Sequence, residues 1–319
     1  MKRLLIVDGL NIFIRAYVAN PSMSSNGVHV GGIVGTLKIL QKVFRQVRPD
    51  KAMVVWDGAG GSKRRKQIRK DYKAGRNPIR LNRNNYALSQ TEEYEGKIKQ
   101  QYRVIEYLNN APVTQIIIDG VEADDIISWA CKEHYCDSWQ KVIVSNDKDF
   151  FQILDECTVI MRSVKDEILS RHTVVERYGI HPNNFALARA IAGDRSDNLK
   201  GIEGIGLKTI AKKYSFLKEE TAYSIEDIIK YTRDNYPSLK TLNRVLDGLD
   251  IISENYKIMQ LYSPNISFQS TQILKEQMSK DDRRNNQTVF KKMLVQDGIF
   301  GVNFDELFSF FNRMEYNNE

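Results

Sequence analysis

Five short runs of β-forming residues in the first half of the chain are apolar at nearly every position. An alternating pattern would indicate strands with one solvated face, whereas continuous apolar runs are typical of strands buried on both faces of a parallel sheet. Helical patterns lie between the runs. We therefore predict an α/β domain over about residues 1–175, with a central, mostly parallel sheet flanked by helices. The predicted strands are Arg3–Val7, Ala52–Trp56, Gln115–Ile118, Lys141–Ser145 and Thr158–Met161.

Helices are predicted from the spacing of apolar residues and from the positions where runs begin. Between the first two strands, apolar residues recur at intervals of four, three, four and three, as an amphipathic helix requires. Further helices are expected to begin near Glu122 and near Lys148, and another is expected over Pro182–Ala192. The apolar positions of the first helix are Ile33, Leu37, Leu40, Phe44 and Val47.

The character of the chain changes after about residue 180. A glycine-rich stretch begins at Gly201, and the last hundred residues, about 224–319, are helix-like, polar and nearly neutral. We predict that residues 176–319 form a helical region whose C-terminal part packs on the α/β domain as a cap. Four residues are expected in its core: Tyr256, Ile258, Leu261 and Tyr262.

Acidic side chains follow four of the predicted strands at or just beyond the points where those strands end. In parallel α/β sheets the loops at the carboxyl ends of the strands meet in one crevice, where ligands bind. The strands therefore bring seven carboxylates to one edge of the sheet: Asp8, Asp57, Glu122, Asp124, Asp125, Asp147 and Asp149. Two more, Asp194 and Asp197, can join them from the helical region.

This concentration of negative charge requires compensation. Two carboxylates about 4 Å apart repel each other by several kcal/mol at an effective dielectric constant near 20. Either most of the acids are protonated or cations lie among them. Oxygen ligands without a nearby histidine or cysteine favour Mg²⁺ or Mn²⁺, and two such ions a few ångströms apart commonly serve phosphodiester hydrolysis.

Each acid taken alone has a simpler interpretation. Glu122, Asp124 and Asp125 suit the first turn of a helix, where the helix dipole favours negative charge. Asp8 or Asp57 can be a turn or capping residue. The same placement after four separate strands argues for a shared site.

Positive charge is concentrated in one segment. The chain carries a net charge of +7. Residues 63–83 alone carry ten basic residues against one acid, a net +9, so the remainder sums to −2. This segment is predicted to contact a polyanion, although a solvated basic helix has the same composition. Its basic residues are Lys63, Arg64, Arg65, Lys66, Arg69, Lys70, Lys73, Arg76, Arg80 and Arg83.

Membrane and disulfide classes are not favoured by the sequence. No run of about 18 apolar residues occurs, and the apolar start of the chain is interrupted by Asp8 and Asn11, so we predict a cytoplasmic protein with no membrane span. Cys131, His134 and Cys136 lie close together but lack the spacing of a zinc finger, and we interpret them as ordinary residues of a reducing compartment.

Five motifs in order resemble the 5′-nuclease (flap endonuclease) superfamily, which includes the 5′-nuclease domain of bacterial DNA polymerase I and the bacteriophage 5′-exonucleases. The similarity covers about residues 1–215 and implies a PIN-like fold. The motifs are Asp8-Gly-Leu-Asn, Trp56-Asp57, Glu122-Ala-Asp124-Asp125, Ser145-Asn-Asp147-Lys-Asp149-Phe and Gly193-Asp194-Arg-Ser-Asp197-Asn.

The resemblance implies roles for the acids. Asp8, Asp57, Asp124 and Asp147 would build the tighter metal site and act in catalysis. Asp149 and Asp197 would build the second site. The remaining acids, Glu122, Asp125 and Asp194, would be direct or water-mediated ligands.

The basic segment is similar to the entrance of the helical arch of that family, expected here over about residues 60–100, through which a 5′ single strand passes. Lys73 and Arg76 would then reach the scissile phosphate, where a cation offsets developing charge, and Tyr72 would stack on a base. The arch would be lined or supported by Arg80, Arg83, Lys97 and Lys99.

The glycine-rich stretch, expected over about residues 194–216, resembles a helix-hairpin-helix. Its glycines allow positive φ and close approach of the backbone to a phosphate, aided by N–H groups at a helix start. A tight turn is the simpler alternative. The resemblance implies that the stretch grips duplex DNA without reading sequence and can bind K⁺. The residues concerned are Gly201, Gly204, Gly206, Lys208 and Thr209.

Together these features predict a structure-dependent 5′→3′ exonuclease and flap endonuclease with two Mg²⁺ or Mn²⁺ ions. The expected substrates are DNA with 5′ flaps, nicks or ends and RNA/DNA hybrids, in replication or the removal of RNA primers. A monomer is expected, with a single-strand-binding protein as a partner. Two alternatives are a PIN-type ribonuclease and a catalytically silent DNA-binding protein.

Overall fold

The computed structural model describes residues 1–75, 81, 88–135, 138–163, 165–279, 285–300 and 302–316. The main strands are β1 (Lys2–Asp8), β2 (Lys51–Trp56), β3 (Thr114–Ile117), β4 (Trp139–Val144), β5 (Thr158–Arg162) and β6 (Glu167–Leu169). The helices of the first half are α1 (Gly9–Ala19), α2 (Gly31–Val47), α3 (Lys63–Ile68), α4 (Gln90–Leu108), α5 (Ala123–Trp129) and α6 (Arg171–Tyr178). Later helices are α7 (Pro182–Ala192), α8 (Leu207–Lys213), α9 (Ile225–Asn235), α10 (Lys240–Asp247), α11 (Leu249–Met259), α12 (Phe268–Ser279), α13 (Gln287–Gln296) and α14 (Phe304–Tyr316).

The strands form one sheet in the order β3-β2-β1-β4-β5-β6. All neighbours are parallel except β5 and β6, which pair antiparallel. All five predicted strands are confirmed to within two residues at each end. The edge strand β6 was not predicted, since three residues carry too little pattern. The chain runs outward from β1 in both directions, so the carboxyl ends of β1 and β4 lie at a topological switch point.

Both faces of the sheet are covered. In β1, Leu4 and Ile6 join one apolar core, while Leu5 and Val7 join the other, because successive side chains of a strand point to opposite faces. The first core is closed mainly by α5 to α12, and the second by α1, α2, α4, α13 and α14. The C-terminal hundred residues therefore pack on both faces of the sheet.

Most predicted helices are confirmed. The helix expected around Ile33 is α2, that near Glu122 is α5, and α7 has the predicted bounds. The helix expected near Lys148 is wrong, because only a short 3₁₀ turn forms over Asp149–Ile153 before the chain enters β5. In the part of the chain that the structure describes, none of the helices combines the length and apolar character needed to cross a bilayer.

Candidate active site

The carboxyl ends of β1, β2 and β4 each present an acid at the same edge of the sheet. Asp8 is the last residue of β1 and the N-cap of α1, where its Oδ1 accepts a hydrogen bond from the Asn11 N–H at 3.2 Å. Asp57 follows β2, and its Oδ1 accepts from the N–H of Ala123 at 2.8 Å, which fixes the start of α5 beside it.

A set of four acids, called here the first acid group, surrounds the switch point. Asp8 is 6% exposed, and burial raises its pKa to about 7, against the opposing hydrogen bonds from Ser145 and Asn11 and with smaller contributions from Asp57 and Asp147. Burial also raises the pKa of Asp124, reinforced by Asp147, Asp8 and Asp57. The members of the first acid group are Asp8, Asp57, Asp124 and Asp147.

Neutral side chains hold the first acid group in place. The Ser145 Oγ–H donates to Asp8 Oδ2 at 2.8 Å, and the Oγ of Ser145 accepts from the N–H of Asp147 at 3.1 Å. The Oδ1 of Asn11 accepts from the backbone N–H of Asn146 at 3.2 Å. These contacts connect the start of α1 to the loop after β4. Neutral groups alone therefore hold Asp8 and Asp147 at a defined spacing in these contacts.

The second acid group consists of Asp149, Asp194 and Asp197. Ligand oxygens of these three carboxylates all lie within 4.8 Å of one another, a spacing that suits a metal ion. Burial raises the pKa of Asp149 to about 7, and Asp147 adds to the shift while Arg189 opposes it. Because Asp147 interacts with both sets and accepts from the N–H of Asp149 at 2.9 Å, it links the two acid groups.

Glu122 and Asp125 pair with cations of the protein, and their role as direct or water-mediated metal ligands stays a prediction. Both are buried and both pair with Arg65, whose Nη1 and Nη2 lie 2.8 and 3.2 Å from the two oxygens of Asp125. Arg65 also bonds Glu122 and donates through Nε to the carbonyl of Ile258 at 2.9 Å. Burial works to raise the pKa of Glu122, but Arg65 and Lys73 outweigh it and hold that pKa below its ordinary value.

Arg65 itself departs from the expectation that the basic segment faces a polyanion. Its side chain is 7% exposed and points into the protein, where it bridges α3, the start of α5 and the end of α11. A buried arginine with two carboxylate partners is a structural cation. Neighbouring Lys63 and Lys66 remain exposed on α3 and available to solvent.

Lys73 lies beside the acids, as predicted for a cation that reaches the scissile phosphate. Its Nζ bonds Glu122, and its backbone N–H donates to the carbonyl oxygen of Asp197 at 2.9 Å. Its φ of +59° is in the left-handed region, which is unusual for a residue with a β-carbon and is concentrated at functional sites. A second hydrogen bond links the basic segment to the loop after α7, because Asn198 Nδ2 donates to the carbonyl of Asp71 at 3.0 Å.

Tyr72 does not offer a face to a nucleic-acid base, and that prediction is corrected. Its side chain is only 3% exposed and packs in a small cluster with Leu199, Ile258 and Met259. The ring therefore anchors the base of the basic segment to α11. The alternation of polar and apolar residues in this segment was too irregular to show which side of Tyr72 would be covered.

The remaining arch residues are only partly described. Arg76, Arg80 and Arg83 lie outside the described residues. Lys97 and Lys99 lie on α4, where Lys97 Nζ is 4.8 Å from the ring centre of Tyr94.

The glycine-rich stretch connects α7 to α8 as a turn, in the place expected for a helix-hairpin-helix. Of its three glycines only Gly204 has a positive φ, +78°, and a β-carbon there would lie 3.9 Å from Nη1 of Arg244. A β-carbon on Gly201 would collide with the backbone of Ala192 and Gly193, so this glycine permits close packing inside the fold. Gly206 is the N-cap of α8 and is exposed, as is Lys208, while Thr209 is half-buried.

Two arginines that the sequence argument missed compensate part of the charge. Arg65 pairs with Glu122 and Asp125, and Arg189, on α7, pairs with Asp149 and Asp194. Arg65 could not be separated from the basic run around it by composition. Arg189 is five residues before Asp194, a separation that becomes a contact only because the chain reverses after α7.

A parallel sheet of this order, with acids gathered at its switch point, defines the fold class of the 5′-nucleases. A family model described as the 5′-3′ exonuclease, N-terminal resolvase-like domain, matches residues 3–179. The chain therefore belongs to the 5′-3′ exonuclease family and is a phosphodiester hydrolase.

Relatives and solved structures agree with this family. A 5′-3′ exonuclease of Aquifex aeolicus is 29% identical over 94% of this chain and 97% of its own length. DNA polymerase I of Caldicellulosiruptor bescii is 31% identical over 68% of this chain, but this chain spans only 25% of that longer protein. The solved structure of the bacteriophage T5 D15 flap endonuclease, in complex with DNA and metal ions, has a TM-score of 0.64 and 18% identity. That match covers 93% of this chain and 99% of the T5 protein, which confirms the predicted fold over both halves.

Proposed function

We propose that this protein is a structure-dependent 5′→3′ exonuclease and flap endonuclease that hydrolyses DNA at an acid edge loaded with divalent ions. The observation that carries the proposal is the joining of the two acid groups through Asp147, with Lys73 at their side. A phosphodiester placed across the two groups would lie within reach of both sets of ions and of one cation supplied by the chain.

The donor set fits two hard divalent ions. The groups offer carboxylate oxygens alone, which Mg²⁺ and Mn²⁺ prefer. Burial raises the pKa of both Asp8 and Asp149 to about 7, so the fold holds acids that its own cations do not fully compensate. One ion would be held by Asp8, Asp57, Asp124 and Asp147, and the second by Asp149, Asp194 and Asp197 with a share of Asp147.

The ions, when bound, would activate the attacking water and stabilise charge on the scissile phosphate and the leaving oxygen. The chain itself orients the carboxylates. Ser145 and Asn11 hold Asp8 and the loop after β4 through neutral hydrogen bonds, so no positive charge competes there. Lys73 would exchange its bond to Glu122 for a phosphate oxygen, and Arg65 would keep Glu122 compensated while it does so.

The substrate would be held on either side of the acids. The exposed turn at Gly204, with its positive φ and the Arg244 guanidinium beside it, suits a backbone contact with duplex phosphates. Such a contact reads no sequence, in keeping with a structure-dependent enzyme. The basic segment, which carries ten of the basic residues over 63–83, would take the 5′ single strand. RNA/DNA hybrids, K⁺ at the turn and a single-strand-binding partner are extensions of the same proposal.

A direct test compares cleavage of a labelled 5′-flap, a nicked duplex and a single-stranded RNA, each with Mg²⁺, Mn²⁺ or EDTA. We expect cleavage of the flap near its junction and shortening of the nicked strand from its 5′ end, both abolished by EDTA. Preference for single-stranded RNA would favour a PIN-type ribonuclease instead. Binding of the flap without cleavage under every metal condition would indicate a silent DNA-binding protein and would contradict the proposal.

A further inference from the structure

Arg189 lies where a cation of the second acid group would be expected. Its Nη2 is 2.8 Å from Asp149 Oδ1 and also bonds the Oδ2 of Asp194. The side chain is 11% exposed, so it is held within the protein rather than at the surface. One nitrogen therefore bridges two of the three carboxylates whose spacing suits a metal ion.

One nitrogen of the Arg189 guanidinium lacks a hydrogen bond among the described residues. The Nε of Arg189 is buried and has no hydrogen-bond partner among the described residues. An arginine carries five N–H donors, and a buried arginine with a purely structural role is expected to use them. The two carboxylates thus set the position of this side chain, and they are the same groups that a metal ion would bind.

Arg189 changes the net charge of the second acid group and therefore its affinity for a divalent cation. When ionised, Asp149, Asp194 and Asp197 carry a charge of −3, and Arg189 reduces it to −2. The first acid group differs, because Lys73, the lysine on its flank, bonds Glu122, which is outside that group, and acts on Asp124 only through its charge. A fixed positive charge a few ångströms away weakens the binding of a divalent cation by electrostatic repulsion.

We propose that Arg189 sets the affinity of the second acid group for a divalent ion by sharing with that ion the oxygens of Asp149 and Asp194. This inference rests on the proposed function. The two ions then bind with unequal affinity, the first acid group filling before the second. In the absence of the second ion, the guanidinium keeps Asp149 and Asp194 together, so the group is preformed when the ion arrives.

The test is a titration of Mn²⁺ into the DNA-free protein, with free Mn²⁺ measured by its paramagnetic resonance signal. The wild type should bind one ion tightly and a second more weakly. Arg189→Met keeps the apolar stem and removes the charge, so it should tighten the second step by about tenfold or more while leaving the first unchanged. Arg189→Lys keeps the charge and should retain two unequal steps.

A matched control is Arg171→Met, since Arg171 also bridges two carboxylates, Glu156 and Glu220, away from the acid edge. It should leave both binding steps unchanged. An unchanged or weaker second step in Arg189→Met would overturn the inference, with far-UV circular dichroism confirming that the variant is folded. If Arg189→Met does not fold, Arg189→Gln replaces it with the same expected tightening and the same opposing outcome.

The failure of this inference can be told from the failure of the proposed function. A wild type that binds no Mn²⁺ in the titration would contradict the proposed metal-dependent mechanism. A wild type that binds two ions, with affinities indifferent to the charge at position 189, would contradict only the role of Arg189.

Discussion

The backbone N–H of Lys73 donates to the carbonyl oxygen of Asp197 at 2.9 Å, which joins the basic segment directly to the loop that carries the second acid group. The side chain of the same lysine bonds Glu122 on the opposite flank. Lys73 therefore spans the acid edge from one side to the other. If a substrate phosphate replaces Glu122 as the partner of the Lys73 side chain, the backbone of Lys73 remains hydrogen-bonded to Asp197.

Replacement of Lys73 is expected to affect turnover more than binding. Lys73→Ala should lower the single-turnover cleavage rate of a 5′-flap by about 100-fold, because the cation would act on charge that develops during attack. Its effect on the dissociation constant of the flap, measured in Ca²⁺, should stay within several-fold. Lys292→Ala, on the exposed side of α13, is the control and should leave the rate nearly unchanged. An unaltered rate in Lys73→Ala would remove the lysine from the mechanism.

Removal of one charge from either acid group should abolish cleavage. Asp147→Asn affects both groups and Asp197→Asn only the second, and each variant should leave DNA binding largely intact. Cleavage of a labelled flap in Mg²⁺ and binding by fluorescence anisotropy measure the two properties separately. Asp234→Asn, on the exposed face of α9, is the matched control. Near-wild-type cleavage by both site variants would refute the proposed metal centre.

Loss of Arg65 should destabilise the protein rather than simply weaken its grip on DNA. Arg65→Met would leave Asp125 buried without its cation and Glu122 with Lys73 alone, and the loss of one partner of a buried pair typically costs about 3–5 kcal/mol. Thermal unfolding should show a clear decrease in Tm. The combined variant Arg65→Met/Asp125→Asn should recover part of that decrease, because it removes the carboxylate charge that Arg65→Met leaves uncompensated. Arg64→Met, whose partner Asn265 is neutral, should change Tm little.

The stability of the metal-free protein should fall as the pH rises from about 4 to about 7. In this range the carboxyl groups of Asp8 and Asp149 are protonated in the fold, with pKa values raised to about 7, but ionised in the unfolded chain. The unfolded state therefore binds fewer protons, and stability decreases with pH by about 1.4 kcal/mol per unit for each such group. Mg²⁺ should restore Tm most strongly above pH 7. A metal-free Tm that rises steadily over the same range would contradict these shifts.

Because Tyr72 is buried, we expect its ring to contribute to stability through packing and not to DNA binding through base stacking. Tyr72→Phe should keep flap binding and cleavage near wild type, since the ring is the part that packs with Leu199, Ile258 and Met259. Tyr72→Ala should lower the free energy of unfolding by about 3–5 kcal/mol through the cavity it leaves. Binding and cleavage of a labelled flap measure the first effect, and equilibrium unfolding in urea measures the second. If Tyr72→Ala is as stable as the wild type but binds single-stranded DNA more weakly, the result would support base stacking by Tyr72 instead.

The sequence by itself determined the sheet and the edge at which the acids gather. Continuous apolar runs indicate strands that are buried on both faces, and Asp8 and Asp57 directly follow two of these runs. The sheet and its acidic edge can therefore be predicted from local sequence pattern. Charge and composition did not show how the acids are shared between protein cations and metal ions. That division depends on Arg65 and Arg189, which come within reach of Asp125 and Asp149 only when separate elements pack together. Electrostatic compensation acts through space and not along the chain, and for that reason only the tertiary structure decided which acids pair with Arg65 and Arg189.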